Sequence, residues 1–138
     1  TDGKSFKAVD FGDLRTGVNI KNSDRVKTVC DFFEKLIKKF KPDKMALESL
    51  FFFKNAKTVV KVSEIRGVLM LAAAKNGVET TEFTPLQVKQ AVSGYGRAEK
   101  IQVQKMVKLI LGLKTEPKPD DVADALAIAI CCANTVVY

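Results

Sequence analysis

The stretch Lys44-Met45-Ala46-Leu47-Glu48-Ser49-Leu50 is a short, mostly apolar run that follows the Pro42-Asp43 break. A run of this length bounded by turn residues has the form of a strand covered on both faces, as in a parallel sheet. Alternation puts Glu48 on the same strand face as Ala46 and Leu50, so the carboxylate needs an explanation. One is a strand-end glutamate that reaches solvent, because charged side chains are rarely buried without a partner. The other is a metal ligand at the sheet's carboxyl edge, where open α/β sheets build their sites.

Working outward, Val26, Val29, Phe33, Leu36, Ile37 and Phe40 recur at three- and four-residue steps before Pro42, which predicts an amphipathic helix ahead of the strand. Further upstream, 5–11 alternates apolar and polar residues, Gly12 follows, and 13–18 returns, a pattern that predicts an antiparallel hairpin. Downstream, a helix is expected from about Asn55 to Asn76, closed by Gly77. Its second half, 68–74, is apolar on every side, and in so small a chain a second subunit is the natural cover. The expected homodimer face is Val59, Val62, Ile65, Leu69 and Ala73. A strand over 79–83 comes next, then a helix that starts with Pro85 at its first position and a Thr84-x-x-Gln87 capping box. Gly94-Tyr95-Gly96 interrupts the helical pattern, which resumes from Ala98 to Leu111, and a last helix is expected from Asp120 to about Asn134. Helices alternating with strands predict an α/β domain, a mixed β-sheet flanked by α-helices.

The chain has 138 residues, 46% of them hydrophobic, enough for one compact domain over 1–138. A formal net charge of +7 and a pI near 9.4 are the footprint of a protein that approaches polyanions, nucleic acid first. The apolar stretches fall short of the ~20 residues that span a bilayer, and no secretion signal opens the sequence, so no membrane role and a cytoplasmic location are expected. Three cysteines without metal-ligand spacing give neither a disulfide framework nor a zinc site. The absence of histidine removes Ser-His-Asp triads, Cys-His pairs and His-based zinc sites. Hydrolytic chemistry would have to run on carboxylates, lysines and a borrowed metal.

Asp121 and Asp124 stand three apart at the start of the last helix, on one face. Acidic residues at a helix start also cap it and favour its dipole, which accounts for Asp120 and Asp121. Asp124 lies a turn further in, ahead of an apolar run, where that account fits less well. Crowded carboxylates need a cation, and Mg²⁺ takes oxygen ligands and polarises phosphoryl oxygens. Lys89, Arg97 and Lys100 accompany Tyr95 around the glycine interruption, and Lys54 and Lys57 follow Phe51-Phe52-Phe53. Solvated helix faces are the usual fate of such lysines and core packing that of most phenylalanines. Basic residues beside an exposed aromatic also grip phosphates and stack on unpaired bases.

These pieces resemble, in order and spacing, the RuvC-like Holliday-junction resolvases. Ala46-Leu47-Glu48-Ser49-Leu50-Phe51 with Lys54-Asn55 is similar to the family's glutamate strand and aromatic segment. Gln87-Val88-Lys89-Gln90 and Gly94-Tyr95-Gly96-Arg97-Ala98-Glu99-Lys100 resemble its paired-lysine region, and 121–129 its acidic helix. The resemblance implies an RNase H-like fold and a homodimer that binds four-way branched DNA and nicks two strands symmetrically. It further implies two Mg²⁺ per active site, with Mn²⁺ as a substitute, and docking with the RuvA-RuvB branch-migration complex. Carried over, Glu48, Asp121 and Asp124 are metal ligands, Lys89 and Lys100 act at the scissile phosphate, and Phe51 stacks at the junction.

The family pattern also has a leading strand ending in Asp-Pro-Gly that supplies a fourth ligand. Asp2, Asp10 and Asp13 do not match it, and a chain without that strand is expected to lose stability and to be short of one ligand. Two other readings stay open at this point: a non-cleaving four-way-junction binder with an incomplete metal site, and an RNase H-like nuclease acting on RNA.

Overall fold

A computed structural model describes residues 5–50 and 55–135. The element order is α1 (Asn22–Phe40), β1 (Lys44–Glu48), α2 (Ala56–Lys75), β2 (Glu79–Phe83), α3 (Pro85–Ser93), α4 (Lys100–Ile110) and α5 (Asp120–Thr135). β1 and β2 pair in a small parallel sheet, joined by the crossover helix α2. The chain clusters into two compact units, Leu14–Thr81 and the pair Thr1–Asp13 with Glu82–Tyr138.

In the unit Leu14–Thr81, the apolar stripe of α1 buries Val29 and Ile37, and Ile37 joins Ala72, Ala73 and Val78 in a core against which Met45 of β1 packs. Two polar clasps tie α1 to α2: Asn22 donates to Glu64 at 2.9 Å, and Lys75 pairs with Glu34 at 2.8 Å. Helix α2 begins where the Asn55 side chain accepts the backbone N–H groups of Lys57 and Thr58, satisfying donors that the helix itself leaves unpaired. It ends at Asn76, and Gly77 turns the chain with φ 69°, which suits a residue without Cβ.

In the other unit, α3, α4 and α5 pack on one another around Val88, Val92, Val103, Val107, Val122, Leu126, Ala127 and Ile130. The predicted capping box at Thr84 and Gln87 is present, with Pro85 at the first turn. Helix α4 has its own box, in which Glu99 and Gln102 exchange side-chain and backbone hydrogen bonds. That box starts α4 at Lys100 instead of at Ala98, because Glu99 serves as the cap and stays extended at ψ 155°. Cys131 and Cys132 are buried, Cys30 is half-buried, and burial pushes the Cys131 thiol up.

Several expectations need correction. The hairpin over 5–18 does not form: none of these residues is in a strand. Two strands without a sheet neighbour are marginal, and alternation alone does not supply one. For the same reason the mixed sheet is reduced, among the described residues, to the parallel pair. β1 is not covered on both faces either, since Met45, Ala46 and Leu47 are half-buried and Glu48 is exposed. Ala73 is fully buried in its own unit's core, packed where α2 meets α1, so it does not belong to a free face.

Candidate active site

Glu48 and Asp121 sit at the ends of their elements, and Asp124 lies one turn inside its helix. Glu48 is the last residue of β1 and is exposed, while the next residue, Ser49, is buried at 4% exposure. The strand thus delivers the carboxylate to the surface at its carboxyl end. An open apolar groove of about 360 Å³ adjoins it, lined by Leu47, Glu48 and Leu50 and by Lys61, Val62, Ile65, Arg66 and Leu69 of α2. Arg66 donates from Nη1 to the backbone carbonyl of Glu48 at 2.8 Å. Nothing in the sequence marks Arg66, since a contact across 18 residues from side chain to backbone leaves no spacing pattern.

In the other unit, Asp120 and Asp121 occupy the first turn of α5, and Asp124 follows one turn on. Lys100, at the start of α4, bridges two of the three, with Nζ 3.2 Å from Asp120 Oδ2 and 3.6 Å from Asp124 Oδ2. Gln104, one turn further along α4, donates to the other oxygen of Asp120 at 3.0 Å. The hydrogen bond to Asp120, aided by the charge of Asp124, raises the Lys100 ammonium above its ordinary value. The same bond, with that from Gln104, holds the Asp120 carboxyl below the usual range. Asp120 was explained as a helix-start acid; its pairing with Lys100 comes from α4 lying against α5.

The remaining candidates are distributed as follows. Lys89 is half-buried on α3, and its carbonyl accepts from the Ser93 hydroxyl. Tyr95 is 60% exposed and Arg97 is exposed, both in the turn between α3 and α4. Lys57 is exposed at the start of α2. Phe51 and Lys54 lie outside the described residues. On the expected dimer face, Val59, Val62, Ile65 and Leu69 are half-buried, and three of them line the groove beside Glu48.

The donors fit a hard divalent cation by type, since all are carboxylate oxygens. Among the described residues, no group of three or more acidic or thiol side chains stands close enough to hold a metal ion. Nor is any helix among them long and apolar enough to cross a membrane.

The family profile described as "Crossover junction endodeoxyribonuclease RuvC" matches residues 1–132. A protein of that name from Ruminiclostridium cellulolyticum is 55% identical over 134 residues, which are 97% of this chain and 81% of that protein. Another from Halothermothrix orenii is 50% identical, over 96% of this chain and 81% of its own. Among solved structures, Thermus thermophilus RuvC is 36% identical with a TM-score of 0.83, covering 89% of this chain and 74% of that one. The same protein in complex with Holliday junction substrate gives 35% identity and a TM-score of 0.86, over 90% and 75%. The fold is RNase H-like.

Proposed function

Because the chain belongs to the RuvC family of crossover junction endodeoxyribonucleases, we propose that its two units make one RNase H-like nuclease domain that cuts at a carboxylate cluster. The activity is that of the family, endonucleolytic resolution of Holliday junctions in recombination and repair. Cleavage of branched DNA therefore stands ahead of the non-cleaving and RNA-directed readings.

The family's nucleases are metal-dependent. Glu48, Asp121 and Asp124 would hold the metal. Two Mg²⁺ ions held there, with Mn²⁺ as a substitute, would supply activation of water and stabilisation of charge on the leaving oxygen. Glu48 contributes an exposed carboxylate from a strand end, which costs little to solvate before substrate arrives. Lys100, which meets Asp120 and Asp124 at the start of α5, offsets charge on the phosphate, as does Lys89. This is electrostatic stabilisation, with no proton passed. Tyr95, Arg97 and Lys57, exposed at helix ends, contact the backbone and bases of the junction, and Phe51 and Lys54 act with them.

The protein works as a homodimer, two sites serving two strands. Supporting this are the apolar residues that α2 leaves exposed, Val60 and Leu71 at 59% and 58% exposure, with Val59, Val62, Ile65 and Leu69 half-buried on other sides of the helix. A cytoplasmic protein that hands over from the RuvA-RuvB branch-migration complex completes the proposal.

The observation that carries the reading is Glu48, a carboxylate set at the carboxyl end of a parallel strand in a chain of this family. Glu48→Gln should keep junction affinity and lose Mg²⁺-dependent nicking. Nicking at the unaltered rate would remove Glu48 from the reaction.

A further inference from the structure

Glu48 can act only if its carboxylate stands in one place, and strand pairing ends at that residue. The peptide that follows leads into the buried Ser49, so the direction of the Glu48 side chain depends on how that last peptide is held. A carbonyl at the end of a strand needs a hydrogen-bond donor. Here the donor is the Arg66 guanidinium, 2.8 Å away, reaching back from the middle of α2.

We infer that Arg66 is a positioning residue for Glu48: its hydrogen bond to the Glu48 carbonyl fixes the carboxyl end of β1 and thereby the place of the carboxylate. This rests on the reading that Glu48 takes part in cleavage. Arginine suits the task because its planar fork is rigid and always charged, so one well-made bond also sets direction. Arg66 lines the apolar groove with Ile65 and Leu69, a setting that suits the methylene stem of an arginine. The start of α2 is pinned by the Asn55 cap, so the height of Arg66 beside β1 is set by helix geometry.

Arg66→Met keeps an apolar stem and removes the donor; Arg66→Lys keeps a charge and one flexible donor. In the metal-free protein, hydrogen exchange of the amides over 47–50 should quicken about tenfold in Arg66→Met and less in Arg66→Lys. On four-way DNA, kcat should fall about tenfold at unchanged KM in Arg66→Met, with partial recovery in Arg66→Lys. Exchange at the unaltered rate in Arg66→Met overturns the inference, and so does a raised KM with kcat intact, which would make Arg66 a DNA contact. Should Arg66→Met not fold, Arg66→Lys alone decides, since unaltered exchange and kcat in that variant also overturn it. If Glu48→Gln nicks normally, the reading of Glu48 fails while the exchange measurement still judges whether Arg66 holds its peptide.

Discussion

A lysine held by two acids does different work from a lysine in solvent, and Lys100 is the case in point. Its ammonium lies between Asp120 and Asp124 where α4 begins and α5 begins, so two helix starts set its position. Lys100→Ala should slow single-turnover nicking of a four-way junction by about a hundredfold, the scale of losing one preorganised charge, while binding weakens far less. Equal rates would exclude Lys100 from the reaction. At this scale the sequence was readable where chemistry and spacing coincide. Glu48 stood out as a charge in an apolar run, and Asp124 as a charge entering one. Arg66 and the Asp120–Lys100 pair were not readable, because each depends on which elements lie side by side.

Among the elements, helices announced themselves through their ends. Asn55, Gly77, Thr84 with Gln87, and Pro85 each stand where backbone groups need partners or a turn needs a positive φ, and the structure uses all of them. Thr84→Ala should lower stability by about 1 kcal/mol in urea unfolding, since it removes a cap and half of the capping box. The hairpin expected over 5–18 is absent because alternation says only which face each strand would show, while a pair of strands also needs a sheet neighbour. The clasp between α1 and α2 has a pH signature. The hydrogen bond from Lys75, with its charge, holds the Glu34 carboxyl below the usual range, and Glu34 likewise raises Lys75. The Glu34 contribution is therefore present above the ordinary carboxylate range and is lost as pH falls through its depressed value. The Lys75 contribution is present below the ordinary lysine range and is lost as pH rises through its raised value. Lys75→Met should accordingly cut stability slightly near neutrality and remove part of its acid dependence, as followed by unfolding midpoints from neutral pH downward. An unchanged acid limb would show that the clasp contributes nothing.

For the whole molecule, the excess of Lys and Arg and the apolar surface of α2 make separate predictions. With a net charge of +7, junction affinity should fall steeply with salt, the slope on logarithmic axes being about −0.9 for each phosphate neutralised. The dimer proposal is tested by Leu71→Glu, which places a charge on an exposed apolar position of α2. Sedimentation at micromolar concentration should show the unaltered protein as a dimer and this variant shifted toward monomer; a monomeric unaltered protein would defeat the proposal. Composition gives the basic character, and the family resemblance gives the RNase H-like class. Family membership, not periodicity, supplied the substrate, since a carboxylate cluster alone does not distinguish branched DNA from other nucleic acid.

Under the proposed function, Glu48, Asp121 and Asp124 together hold metal at the phosphate to be cut. Anomalous diffraction from crystals of the protein with four-way DNA and Mn²⁺ tests it directly. The expected result is manganese peaks within bonding distance of all three carboxylates, beside the phosphate to be cut. Manganese bound elsewhere, with Glu48 turned away from Asp121 and Asp124, would contradict it.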